Sequence, residues 1–233
     1  MNPAPSGPGR IIAVVGLARE ARIAASPGVH PVVGGGERAA LKTALERAVG
    51  QGARAIVSFG IAGGLDPSLA PGACIVGSAA SVGAARWPTD PGWAAKLLAA
   101  LPGAILAEVA GADHPVINAN HKRLLRAAGG AAAVDMESHV AARIAAAHGL
   151  PFAIVRIVCD PAGRTLPPAA LVGMRADGTS DAGAVLRALI DAPGQLPGLI
   201  RLALDARAAF AQLKRRRNAL GPDFALADPG VSA

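Results

Sequence analysis

The sequence contains no tyrosine, and aromatic residues make up only 3% of its 233 residues. This shortage argues against a nucleic-acid partner, because single-stranded and looped nucleic acids are bound by stacking bases on aromatic rings. Charged residues are also few, at 17%, while hydrophobic residues reach 52%, which excludes disorder over most of the chain. Glycine, proline and charge interrupt the apolar stretches, so none is predicted to span a membrane. Residues 1–10 lack the basic start and long apolar run of a signal peptide.

Cysteine is scarce as well. Cys74 and Cys159 are too few for a disulfide framework, and both lie in apolar segments, which favours a reducing cytoplasm. The five histidines are scattered, so no metal site and no cofactor is predicted. Basic residues number 23 against 16 acidic ones, and the net charge of +7 favours anionic partners such as phosphate or anionic lipid.

Short apolar runs alternate with helical patterns along the chain. Residues 11–15, 55–59 and 152–159 are predicted as buried strands, and residues 37–49 have helical spacing that ends at a glycine. This alternation predicts an α/β fold with three layers, α/β/α, around a central mixed and largely parallel sheet. We expect a single domain over residues 11–217, with flexible tails at 1–10 and 218–233.

The last helix, predicted over about residues 199–217, ends in Lys214, Arg215, Arg216 and Arg217. One interpretation is a docked surface helix whose basic last turn complements the negative end of its dipole. The other is a peripheral contact with anionic lipid at a membrane surface. The first is preferred, because four basic residues are the minimum for a lipid-binding cluster.

Polar residues follow several of the predicted strands. Ligands bind beyond the carboxyl ends of strands in open α/β sheets, so these positions are candidates for one shared cleft. They are Arg19 with Glu20, the glycine segment 60–64, Glu137 and Asp160.

Each candidate also has a structural interpretation. The glycine segment either exposes N–H donors to a ligand or is a turn with unusual dihedral angles. Glu137 either caps a helix or accepts hydrogen bonds from two vicinal hydroxyls, such as those of ribose. Asp160 either caps a turn before proline or is an acid whose pKa is raised by an apolar pocket, and the second interpretation is favoured.

Three segments in order carry a family resemblance. Residues 58–65 and 71–76 form a glycine segment and a following strand, residues 134–138 contain an Asp-Met-Glu sequence, and residues 155–160 form a strand ending in aspartate. Together they resemble the nucleoside phosphorylase and nucleosidase superfamily. Residues 166–171 and 193–197 are similar to its hopanoid-associated phosphorylase branch, which acts on adenosylhopane.

The resemblance implies cleavage of the N-ribosyl bond of a purine nucleoside, with release of adenine and without a cofactor. Asp160 would protonate or hydrogen-bond the purine N7, Glu137 would hold the ribose hydroxyls, and Met136 would pack under the sugar. It also implies a small-molecule substrate that is lipid-linked, an apolar channel at residues 166–174, and a homo-oligomer. The other implied substrate-binding residues are Gly60, Ile61, Ala62, Gly63, Val116 and Phe152.

Two departures from the family pattern bear on the nucleophile. Phosphorylases of the family hold phosphate with an arginine and a serine or threonine, where this sequence has Ser58 and Ile61. Arg19 is a possible substitute cation. Nucleosidases position water with a glutamate, and Glu20 is the candidate, although it lies one residue early. Hydrolysis is therefore favoured over phosphorolysis with phosphate as co-substrate, and a nucleoside-binding protein without catalysis is the alternative.

Overall fold

The computed structural model describes residues 9–172, 179 and 181–226, in which strands and helices alternate. The predicted tail residues 1–8 and 227–233 lie outside this part of the chain. The strands are β1 (Arg10–Val15), β2 (Val29–Val33), β3 (Ala53–Gly64), β4 (Cys74–Val82), β5 (Ala85–Pro88), β6 (Ile105–Gly111), β7 (Ala133–Asp135) and β8 (Phe152–Asp160). The helices are α1 (Ala18–Ala24), α2 (Arg38–Gly50), α3 (Pro91–Ala100), α4 (Ala119–Gly129), α5 (Ser138–Ala147), α6 (Pro168–Leu171), α7 (Ala182–Asp191) and α8 (Leu196–Ala219), with a 3₁₀ turn at Pro193–Gln195.

The strands form one mixed sheet in the order β2-β1-β3-β7-β6-β4-β5. Strand β8 pairs parallel with β3 and antiparallel with β4, so β3, β8, β4, β6 and β7 close into a ring. Among the described residues, five of the eight strand pairs are parallel, which confirms the predicted mixed and largely parallel sheet. A register shift after Ala62 sets Gly63 opposite Asp160.

Alternate side chains of β1 face two different cores. Ile11, Ala13 and Val15 pack with buried residues of α3 and α8. Ile12 and Val14 pack instead with buried residues of α2 and α5. Because each fully buried aliphatic side chain contributes about 1.5–3 kcal/mol, both helical layers are held firmly to the sheet. The predicted α/β/α layering is confirmed.

The glycine segment 60–64 is a strand and not a loop. Strand β3 continues to Gly64, because β8 pairs with it as far as Gly63 and β7 pairs antiparallel with its last two residues. Its backbone groups are largely engaged in the sheet, so the prediction of a loop that offers free N–H donors is wrong.

The prediction of a flexible tail after residue 217 is wrong for residues 218–226. Helix α8 continues to Ala219, and Phe224 is completely buried. The ring of Phe224 meets the ring of Phe59 edge to face, with centroids 5.1 Å apart. The Trp93 Nε1–H donates to the Phe224 carbonyl over 2.8 Å. The segment after α8 therefore completes one of the two cores.

The basic end of α8 is partly used inside the fold. Arg217 is buried, donates to the Ala24 carbonyl over 3.0 Å, and covers the Phe224 ring at 4.2 Å. Arg216 Nη1 donates to the carbonyl of Pro102 over 2.8 Å. Two of the four cations thus have protein partners. Within the described residues, no helix has the length and apolarity needed to cross a bilayer.

We expect Phe224→Ala to lower the free energy of unfolding by about 3–5 kcal/mol, because truncating a buried phenylalanine leaves a cavity. Urea denaturation measures the loss. Leu124→Ala is the matched control, since Leu124 is 64% exposed and its truncation is expected to change stability by less than about 0.5 kcal/mol. Equal effects of the two substitutions would contradict the docking of this segment.

Candidate active site

A cavity of about 360 Å³ lies at the carboxyl ends of β1, β3, β7 and β8. This is the edge of the sheet where the sequence predicted a cleft, and the volume is typical of a small-molecule site. The predicted site residues that line it are Glu20, Ile61, Ala62, Gly63, Val116, Met136, Glu137 and Asp160.

Glu137 precedes α5 but does not cap it with its side chain. Asp135 does so, because its Oδ1 accepts from the backbone N–H of Ser138 over 2.8 Å and of Glu137 over 3.1 Å. The Glu137 side chain instead lies against two glycines. A Cβ on Gly16 or Gly34 would come within 3.0 Å of Glu137 side-chain atoms. The capping interpretation of Glu137 is therefore wrong, and its carboxylate faces the cavity.

A buried arginine joins the acidic residues of the cavity. Arg156 has no exposed surface, and its Nε lies 2.7 Å from Asp135 Oδ2 while its Nη2 lies 3.3 Å from Glu137 Oε2. The same Nη2 donates to Ser58 Oγ over 2.7 Å, and Ser138 Oγ donates to Ser58 over 2.9 Å. Arg156 was not predicted as a site residue, although a charged residue inside an otherwise apolar strand indicates a buried ionic partner.

Glu20, in the first turn of α1, ties that turn to β3. Its Oε2 accepts from the N–H groups of Gly16 and Leu17 over 2.8 and 2.9 Å, and its Oε1 accepts from Ile61 over 2.7 Å. Gly60 lies behind this carboxylate and does not line the cavity. A Cβ there would be 2.5 Å from Glu20 Oε1 and 2.7 Å from an Arg156 nitrogen, so glycine is required for this close approach.

Burial dominates the electrostatics of these carboxylates. It raises the pKa of Glu137 to about 7, with the Arg156 charge opposing the rise and the charges of Asp135 and Glu20 adding to it. Burial also raises the pKa of Glu20, although Arg156 and three backbone N–H groups oppose the shift. The pKa of Arg156 rises because its surrounding carboxylates outweigh burial. A proton is therefore available to this cluster near neutral pH.

Asp160, at the end of β8, is paired with a lysine and not surrounded by apolar groups as predicted. Its Oδ2 accepts from the ammonium group of Lys122, a completely buried residue of α4. That ammonium also donates to the carbonyls of Pro161 and Arg164, each over 3.1 Å. Lys122 was not predicted as a site residue, because a lysine within a helix normally points to solvent.

Two predicted substrate-binding residues lie away from the cavity. Phe152 begins β8, about 26 Å along the strand from Asp160 at 3.3 Å per residue, and it packs in the core beneath α5. The Arg19 guanidinium stacks over the ring of Phe210 at 4.2 Å and does not line the cavity. Because neither residue lines the cavity, the structure contradicts both predictions.

Part of the cavity lining, termed here the apolar wall, consists of apolar side chains. Leu166 and Ala170 lie in the predicted channel segment and line the cavity, whereas residues 173 and 174 of that segment lie outside the described residues. Helix α8 supplies the rest of this wall with Leu202, Ala206 and Phe210. The cavity thus has an acidic side and an apolar side.

The fold and the cavity together define an α/β enzyme whose site is built from acidic residues at strand ends. The sequence matches the family described as Phosphorylase superfamily over residues 7–191, and the chain belongs to this superfamily. As a member of this superfamily it is an N-ribosyl-cleaving enzyme of the nucleosidase or phosphorylase type. No curated protein is significantly similar in sequence.

Solved structures of nucleosidases share the fold. The 5′-methylthioadenosine/S-adenosylhomocysteine nucleosidase of Campylobacter jejuni is 13% identical, with a TM-score of 0.60 over 89% of this chain and 99% of that chain. The Streptococcus pneumoniae enzyme with the transition-state inhibitor MT-ImmA is 14% identical, with a TM-score of 0.59 over 91% and 99%. Futalosine hydrolase of Helicobacter pylori is 16% identical, with a TM-score of 0.56 over 65% and 88%. At these identities the likeness concerns the fold alone.

We expect the wild-type protein to lose stability relative to Glu137→Gln as the pH rises from about 4.5 to about 7. In the unfolded chain Glu137 ionises at its ordinary pKa of 4.5, whereas the folded protein keeps the proton until about pH 7. Raising the pH through this window therefore favours unfolding. Urea denaturation of both proteins across the window measures the difference, which is at most about 3 kcal/mol. If the difference in unfolding free energy between the two proteins stays constant across this pH window, the raised pKa of Glu137 is contradicted.

Proposed function

We propose that this enzyme hydrolyses the N-ribosyl bond of a purine nucleoside and releases adenine. The observation that carries the proposal is that Glu137 and Asp160, on different elements, border one cavity. A nucleoside held at both its sugar and its base needs this arrangement, because orientation and proton delivery must act on the same bound molecule. The free, buried thiols of Cys74 and Cys159 are compatible with a reducing cytoplasm as its location.

The proposed roles follow the two ends of the nucleoside. Glu137, in its ionised form, accepts hydrogen bonds from the ribose hydroxyls, and Met136 packs under the sugar. Asp160 hydrogen-bonds or protonates the purine N7, which makes adenine a better leaving group as the sugar becomes an oxocarbenium ion. General acid assistance of this kind is worth about 10²–10⁴-fold in rate. Ile61 and Val116 line the base side of the cavity.

Water is the favoured nucleophile because, among the residues that the structure describes, no lysine or arginine lines the cavity to hold a phosphate dianion. Arg156 is already surrounded by carboxylates, Ser58 bonds to Arg156 and Ser138, and the Ile61 N–H is taken by Glu20. Glu20 Oε1 accepts one hydrogen bond and keeps a lone pair for water. Burial raises the pKa of Glu20, which makes its carboxylate a stronger base for accepting a proton from that water.

The apolar wall supports a substrate with an apolar 5′ substituent, and adenosylhopane of the hopanoid-associated branch is the substrate we propose. A cavity of about 360 Å³ holds a nucleoside but not a complete triterpene as well. The lipid tail would therefore leave the cavity past Leu202, Ala206 and Phe210 of α8.

Helix α8 is apolar on a second side that faces outward. Ile200 and Leu204 are 53% and 61% exposed, and Leu186 and Ile190 of α7 are also exposed. The packing of α8 on the domain does not explain this second group of apolar side chains. Exposed apolar surface of this kind is typical of contacts with a membrane or another protein. We therefore propose that the molecule contacts a membrane surface peripherally through this side of α8, assisted by Lys214 and Arg215, and that it is a homo-oligomer.

Adenine release should be measured with adenosine, 5′-methylthioadenosine and adenosylhopane, each with and without phosphate. We expect phosphate-independent release that is fastest with the substrate carrying the largest apolar 5′ group. Asp160→Asn is expected to lower kcat by about 10²–10⁴-fold with little effect on nucleoside binding, because only proton delivery is lost.

Asp191→Asn on exposed α7 is the control and should retain full activity. Release that requires phosphate would identify a phosphorylase. Binding of all three nucleosides without any adenine release would identify a binding protein and end the enzymatic proposal.

Membrane contact predicts flotation with vesicles that contain anionic lipid. Replacing Lys214 and Arg215 by Gln is expected to weaken binding, by about 1 kcal/mol per charge. Replacing the exposed Lys42 and Arg47 of α2 in the same way is the control for loss of net charge. Binding that is unchanged, or lowered equally by both pairs, would rule out this contact. Analytical ultracentrifugation of the same proteins tests self-association separately.

A further inference from the structure

Lys122 is an unusual lysine because its side chain has no exposed surface at all. An ammonium group is costly to bury unless its donors are all satisfied and its charge is paired. Here its three hydrogens match three acceptors, namely Asp160 Oδ2 and the carbonyls of Pro161 and Arg164. The position of the ammonium is therefore fixed from three directions.

One of these acceptors belongs to a residue that lines the cavity. Because Lys122 occupies Oδ2 of Asp160, the other oxygen, Oδ1, is left for a ligand. Among the residues that the structure describes, Oδ1 accepts no hydrogen bond, and the Asp160 side chain is 11% exposed. Opposite it in β3 is Gly63, which has no side chain to fill the space beside the carboxylate.

The two carbonyls give the lysine a second connection. Pro161 and Arg164 belong to the turn that leads from β8 to Leu166, the first residue of the apolar wall. Lys122 thus connects helix α4 to both the acid and the start of the wall. The pairing with Asp160 satisfies the buried charge and also places that charge next to the proposed reaction.

We propose that Lys122 is a positioning residue that fixes the plane of the Asp160 carboxylate and reserves Oδ1 for N7 of the purine. This inference rests on the proposed function, since it assigns Lys122 a role in base recognition and leaving-group activation. Lys122 does not touch the substrate and transfers no proton. It keeps its hydrogen bond to Oδ2 while Oδ1, which takes up a proton from solvent water, donates that proton to N7 as the N-ribosyl bond breaks.

The first test is a double-mutant cycle on the nucleoside that the wild-type enzyme cleaves fastest among adenosine, 5′-methylthioadenosine and adenosylhopane. Lys122→Met is expected to lower kcat by about 10–100-fold and to change KM by less than about threefold. The double variant with Asp160→Asn should be no slower than Asp160→Asn alone, because Lys122 acts through that carboxylate. If the reductions in kcat caused by the two single substitutions multiply in the double variant, the proposal is overturned.

The second test needs no turnover. Wild-type protein is expected to bind adenine at least about tenfold more tightly than 7-deazaadenine, which has carbon in place of N7. Lys122→Met should reduce this preference towards that of Asp160→Ala, which has no group left to donate to N7, in calorimetric titrations. A lysine that only supports the fold would weaken both ligands equally and keep the preference, and that result would contradict the proposal.

Arg123→Met, an exposed cation on the same helix, is the matched control and should behave as wild type. If Lys122→Met does not fold, as judged by thermal melting, Lys122→Gln replaces it, because its amide still donates two hydrogen bonds. A wild-type enzyme that cleaves none of the three nucleosides would refute the proposed function. If the wild type is active and the Lys122 variant is equally active, the role of Lys122 is refuted but the proposed function is not.

Discussion

The buried guanidinium of Arg156 is the interaction on which the cavity depends. Carboxylates from three parts of the chain surround it, Glu20 in α1, Asp135 at the end of β7 and Glu137 before α5. Removing one partner of such a buried pair typically costs 3–5 kcal/mol, because the remaining charge is left without compensation. Burial raises the pKa values of Glu20 and Glu137 although the Arg156 charge opposes the rise, and the charges of Asp135 and Glu20 add to the rise at Glu137. The same arrangement that holds the cavity together therefore also sets its protonation near neutrality.

The glycines near the site have a packing role. Gly16 and Gly34 give space to the Glu137 side chain, and Gly60 gives space to Glu20 and Arg156. Glycine is needed at each of these positions because the side chain of a charged residue lies against its backbone. These glycines thus lie where the acidic side chains approach the sheet. A glycine-rich segment after a strand would instead suggest backbone N–H groups that bind a phosphate.

Local patterns were sufficient to predict the strands and the acids at their ends. Residues 152–159 form an apolar run that only a buried strand explains, and the rule for strand ends then singles out Asp160. Lys122 and Phe224 could not be found in this way, because each is recognised only by a partner distant in the sequence, Asp160 and Phe59 respectively. The closure of the sheet through β8 was hidden for the same reason. Phe152, implied by the resemblance alone, was misassigned because it begins β8, whereas the cavity lies at the carboxyl ends of the strands.

The two sides of the cavity restrict how a substrate can lie in it. Ionised groups near Glu137 favour hydroxyls that donate hydrogen bonds, whereas Leu202 and Phe210 favour a group without polar atoms. In the proposed orientation a nucleoside has its ribose hydroxyls on the acidic side, its base beside Asp160 and its 5′ substituent along α8. Reversing the molecule would bury hydroxyls against leucine and place carbon against carboxylates, and each buried polar group without a partner costs about 1–3 kcal/mol. The division of the cavity into acidic and apolar sides therefore selects one orientation, and the same division explains why a more polar 5′ group should be a poorer substrate.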